Sequence, residues 1–109
     1  MAKQKDNSLN EVDTKAKSMG AVHAIRVMDE DKTYSLYLKA PHRDIVGLYY
    51  ARVKDNPIKA AENLFKASQI VEFSDKAIFE IDSLFYSAYL EVDNYLDSIK
   101  LKKSLSVTL

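Results

Sequence analysis

Three consecutive runs, AVHAIRVM (residues 21–28), DEDK (29–32) and TYSLYLK (33–39), decide the fold class. In the first, His23, Ile25 and Val27 share one face, and Val22, Ala24 and Met28 share the other, with Arg26 near the wet edge of that second face. In the last, Tyr34, Leu36 and Leu38 point one way, and Thr33, Ser35, Tyr37 and Lys39 the other. Alternation with a period of two marks half-buried strands, and the charged cluster between them marks a turn. The reading is a β-hairpin. Two strands alone are marginal in water, so something must cover the apolar face.

Outward from the hairpin the period changes. Pro41 is suited to the first position of a helix, which is expected to run to about Lys54 with Ile45, Leu48, Tyr49 and Val53 as its buried stripe. Gly47 costs about 1 kcal/mol inside a helix, so a close approach of another element is expected there. Asn56 and Pro57 form an N-cap followed by a first-turn proline. They open a second helix, running to about Val71, with Ile58, Ala61, Leu64, Phe65 and Ser68 inward. Ser74 then reads as the cap of a third helix and Asp75 as a complement to its dipole.

From Asp75 to Lys103 the apolar positions Ile78, Ile81, Phe85, Ala88, Val92, Tyr95 and Ile99 step by three and four, as in one continuous amphipathic helix. Such a helix is about 42 Å long at about 1.5 Å per residue. A globule of this size is about 31 Å across. The far half should overhang, and an apolar overhang needs a partner. Phe85, Tyr86, Tyr89, Val92, Tyr95, Leu96 and Ile99 are therefore the candidate protein-binding residues. The basic run Lys100, Lys102 and Lys103 reads as a complement to the helix dipole.

Before the hairpin, residues 1–20 are polar. Ser8 and Glu11 have capping-box spacing, and Leu9, Val12, Ala16 and Met19 follow at helical intervals. This arm either frays or orders on a neighbour. The expected organisation is an arm (1–20), a hairpin-plus-helix domain (21–103) and a tail (104–109). The class is α+β: an N-terminal hairpin packed on a three-helix bundle with a long last helix, one sheet face covered by helices.

Composition narrows the chemistry. Among 109 residues, 47% are hydrophobic and 29% charged, the balance of a soluble globular chain. Sixteen basic and sixteen acidic residues cancel, which removes the general attraction to nucleic acid. There is no cysteine, and two glycines are too few for a phosphate-cradling loop. His23 and His42 form no metal-binding spacing, and Asp29, Glu30 and Asp31 lack the frame of a calcium loop. The carboxylates Glu62, Glu80, Asp82, Glu91, Asp93 and Asp97 fall mostly opposite the apolar seam. Neither a secretory signal nor a membrane-spanning run is legible. The expectation is a non-enzymatic protein with no cofactor and no metal. Seven tyrosines point to interfaces, where one end of the side chain is dry and the other wet.

Tyr37-Leu38-Lys39-Ala40-Pro41, Asp55-Asn56-Pro57 with Ala60-Ala61-Glu62, and Ser74-Asp75 with Asp82, Phe85 and Ala88 form an ordered pattern. Over about residues 22–100 it resembles small tail-assembly-chaperone-like proteins from the structural modules of phages and prophages of Bacteroides-like bacteria. The resemblance implies a hairpin followed by a helical bundle, no catalysis, and binding to other phage proteins such as the tape measure. Two departures stand out: Ile70-Val71-Glu72-Phe73 replaces a junction that often carries glycine, with tryptophan or cysteine nearby, and the arm is longer than the pattern requires. The expected setting is the host cytoplasm or the virion, in a homo-oligomer or larger assembly and away from membranes. Two alternatives stand beside the chaperone: a permanent capsid- or tail-associated component of the virion, and a small regulator of a host protein or nucleic acid.

Overall fold

The computed structural model describes the backbone of residues 2–99 and 105–109, and the side chains from residue 10 onward within them. The chain is α+β. Helix α1 (Ala2–Ser18) precedes the antiparallel strands β1 (Ala21–Asp29) and β2 (Lys32–Lys39). Helices α2 (Arg43–Arg52), α3 (Pro57–Ser68), α4 (Ala77–Glu80), α5 (Asp82–Tyr89) and α6 (Val92–Ser98) follow.

The hairpin has the expected alternation. Ile25 pairs with Leu36 and Val27 with Tyr34, and these side chains enter the core. Glu30 takes a φ of 55°, the left-handed conformation that two-residue hairpin turns demand. A bulge between Ala21 and His23 leaves Val22 as the extra residue. The main core gathers Ile25, Leu36 and Leu38 from the sheet with Leu64, Phe65, Ile78, Phe85 and Tyr95 from the helices.

The sheet is covered on both faces, not one. On the second face Tyr37 packs with Ala16 of α1 and Ile70, and Val12, Ala24 and Phe73 adjoin them. The Tyr37 hydroxyl donates to Asp13 at 2.6 Å, and Arg26 forms an ion pair with the same carboxylate. Helix α1 starts at Ala2, ahead of the Ser8 start suggested by the capping box. Its docking depends on partners distant in sequence.

The single long helix is not formed. Ile81 is extended (φ −109°, ψ 116°), which ends α4 and starts α5. A second break at Leu90–Glu91 separates α5 from α6. Both breaks bend the chain around the hairpin, so that α4 packs on β2 while α5 and α6 pack on β1. A straight rod would carry its apolar stripe off the globule. The bends rotate Ile81 and Leu90 outward and keep Ile78, Leu84, Phe85, Ala88, Val92, Tyr95 and Leu96 buried. The run Lys100–Lys103, with its expected dipole role, lies outside the described residues.

Ser74 and Asp75 are not helix caps. They close the outer edge of β2. Ser74 Oγ accepts from the Tyr37 amide at 3.0 Å, and Asp75 Oδ2 accepts from the Ser35 amide at 2.7 Å. The Asp75 amide returns a bond to Ser35 O at 2.8 Å, and the Ile70 amide binds Tyr37 O at 2.8 Å. The α3–α4 connection thus stands in for a third strand. Two smaller expectations also change. Helix α2 begins after His42, whose Nδ1 accepts from the Asp44 amide, and α3 stops at Ser68 rather than near Val71. Nothing lies within 4 Å of where a Cβ on Gly47 would stand, so no close approach explains that glycine.

Candidate protein-binding surface

Of the seven residues expected to form an overhanging seam, the structure buries Phe85, Val92, Tyr95 and Leu96 in the chain's own core. Tyr95 is fully enclosed, and its hydroxyl donates to Lys39 O at 2.6 Å, tying α6 to the end of β2. Burial pushes its pKa up, since the phenolate would lose hydration. Ser68 Oγ lies beside it, buried and without a hydrogen bond of good geometry. Tyr89 and Ile99 are half-buried at the core's margin, and Tyr86 is 56% exposed. The bends in the C-terminal region explain this division.

Tyrosines at or near the surface form two pairs, one on α5 and one on α2. On α5, Tyr86 and Tyr89 meet edge to face at 6.4 Å, one turn apart. On α2, the buried ring of Tyr49 meets Tyr50, which is 55% exposed, edge to face at 5.3 Å. Tyr49 and Tyr89 both pack at the main core and lie near enough for their charges to interact. Burial raises the pKa of Tyr49, and the charges of Asp93 and of ionised Tyr50 and Tyr89 push it in the same direction. Leu90, the residue after Tyr89, is left 71% exposed by the break after α5.

Beside Tyr49 an apolar groove of about 110 Å³ runs between α2 and α3, lined by Ile45, Leu48, Ala60, Leu64 and Ala67 among others. Pockets for small ligands usually hold about 300–1,000 Å³, so this groove suits one side chain of a partner rather than a free ligand. Surface tyrosines such as Tyr50 and Tyr86 have the make-up of binding hot-spot residues: rigid amphipathic rings with few rotamers to freeze. Leu48, expected in the buried stripe of α2, is 45% exposed, and Tyr50 and Leu90 lie outside the expected seam, because only the breaks and the packing of α2 decide which apolar side chains remain outside. The surplus of tyrosine was the available signal.

Among the described residues, no three His, Cys, Asp or Glu side chains gather where they would hold a metal ion. His23 stacks obliquely on Tyr95 with ring centroids 5.7 Å apart. Its pKa is held below the ordinary value mainly by burial, an effect the nearby Glu91 partly offsets. Glu62 bridges Lys59 and Lys66 on the surface of α3, which lowers its pKa. No described helix is long and apolar enough to cross a membrane. Comparison with family models, curated proteins and solved structures returned no match to this chain.

Proposed function

We propose that this chain is a non-enzymatic assembly protein of a bacteriophage, binding another phage protein during tail or particle construction. The binding surface comprises Tyr50 on α2, Tyr86 and Tyr89 on α5, Leu90 just after α5, and the apolar groove that Tyr49 lines between α2 and α3. The observation that carries the binding role is the exposure of Tyr50, Tyr86 and Leu90, with the two tyrosines held in edge-to-face pairs. The phage setting rests on the resemblance over residues 22–100. The mechanism is burial of a partner's apolar side chains against tyrosine rings whose hydroxyls stay wet at the rim.

The test is co-expression with the tape-measure, tail and capsid proteins of the phage or prophage that encodes this chain, followed by light scattering on the purified complex. A 1:1 or higher complex is expected, weakened about thirtyfold by the double variant Tyr50→Ser/Tyr86→Ser, as for loss of about 2 kcal/mol of hot-spot contact. Absence of any complex, or a complex indifferent to the double variant, overturns the proposal. Mass spectrometry of purified virions gives the stage at which it acts: a transient assembly factor is absent from them, and many copies there mean a permanent component.

A further inference from the structure

The sheet has one closed edge and one open edge. The amides of Ser35 and Tyr37 point outward from β2, where Asp75 and Ser74 accept them. The register pairs Ser35 with Arg26 and Tyr37 with Ala24. By the alternation of an antiparallel ladder, the N–H and C=O groups of Ala24, Arg26 and Met28 therefore point away from β2. Those backbone groups have no hydrogen-bond partner among the described residues. Edge strands are usually guarded by an unpaired charge or a covering element. Here the charge of Arg26 is already taken by Asp13 on the α1 side.

One segment of the same chain has the complementary form. Leu105-Ser106-Val107-Thr108-Leu109 alternates apolar and polar residues, includes two β-branched side chains and carries no charged side chain. It belongs to no helix or strand, and Leu105 and Val107 are 88% and 67% exposed. A cleft of about 190 Å³ lies between α1 and the start of β1, beside the bulged Val22 and bounded by Lys17, Ala24 and Tyr37. It has room for one branched aliphatic side chain.

We propose that residues 105–109 of one copy add as a third strand to the open edge of β1 in a second copy, with an apolar side chain of the segment seated in the cleft beside α1. Main-chain bonds to Ala24, Arg26 and Met28 supply the attachment, and the alternating side chains set the register. The pairing is assigned to a second copy because, within its own chain, the segment forms no strand and its apolar side chains Leu105, Val107 and Leu109 are exposed. This self-association uses a surface separate from the tyrosine-bearing one and does not depend on its role.

Size-exclusion light scattering of the full chain over a micromolar-to-millimolar series tests the idea, with backbone hydrogen exchange read by NMR. Mass should rise with concentration, and the amides of Ala24, Arg26 and Met28 should exchange at least about tenfold more slowly in the associated state. Val107→Pro, which removes a strand donor from a segment that supports no packing in its own domain, should abolish both effects without changing the melting temperature of the monomer. A chain that stays monomeric overturns the proposal. So does association that survives Val107→Pro, association without protection of the three amides, or protection already complete in the monomer.

Discussion

Replacing Asp75 by alanine separates two roles for the same carboxylate. If Asp75 complements a helix dipole, its removal costs about 0.3–1 kcal/mol and the cost fades in salt. In the structure its Oδ2 instead accepts from the amide of Ser35, a residue only 6% exposed, at 2.7 Å. A hydrogen bond to a charged acceptor is worth about 1.5–3 kcal/mol. Asp75 itself is solvent-accessible, so the lower end applies, about 1.5 kcal/mol. For a domain of this size that is a fall of roughly 6–12 °C in melting temperature. Asp75→Asn keeps an acceptor and should lose less than half as much. Urea unfolding followed by circular dichroism, at low salt and again at high salt, gives the cost. Hydrogen exchange at Ser35 locates it. The reasoning fails if the alanine variant loses well under 1 kcal/mol, if salt erases the loss, or if the Ser35 amide keeps its protection.

Two further outcomes follow from the packing. Gly47→Ala should stabilise by about 1 kcal/mol, because the added methyl meets no atom within 4 Å and removes the helix penalty of glycine; a lower melting temperature would reveal a contact that α2 needs. His23, whose folded pKa lies below its unfolded value of 6.5, favours the neutral ring in the fold. Its share of stability is therefore complete above about pH 6.5 and is lost as pH falls through the depressed value. His23→Asn should flatten the stability curve across that window, and an unchanged slope in pH-dependent urea titrations would assign the acid sensitivity to other groups.

The hairpin and α3 were legible because their signals are local. Period-two alternation names the faces of β1 and β2, and Asn56-Pro57 starts α3, where Asn56 Oδ1 accepts from the Lys59 amide at 3.2 Å. The C-terminal region was not, because steps of three and four suit a straight helix and a bent series equally well. Ile81 and Leu90 carry no glycine or proline to announce a break. Ser74-Asp75 before an apolar run has the composition of a helix start, and only the nearness of Ser35 and Tyr37, about forty residues away in sequence, turns it into an edge closure. The same holds for α1. Val12 and Ala16 have helical spacing, but the Asp13–Tyr37 bond that docks them joins elements 24 residues apart. Of the seam expected at Phe85–Ile99, the sequence showed its apolar character correctly and its direction not at all.

The breaks at Ile81 and Leu90–Glu91 leave α4, α5 and α6 with four, eight and seven residues. Isolated helices shorter than about 12–15 residues are marginal in water, since nucleation outweighs the few bonds that follow. None of the three has the length to persist apart from the hairpin. Ellipticity at the helical wavelength in this half of the chain is therefore a readout of tertiary docking. Any partner or lesion that lifts the hairpin away should unwind the three helices together rather than release a preformed rod.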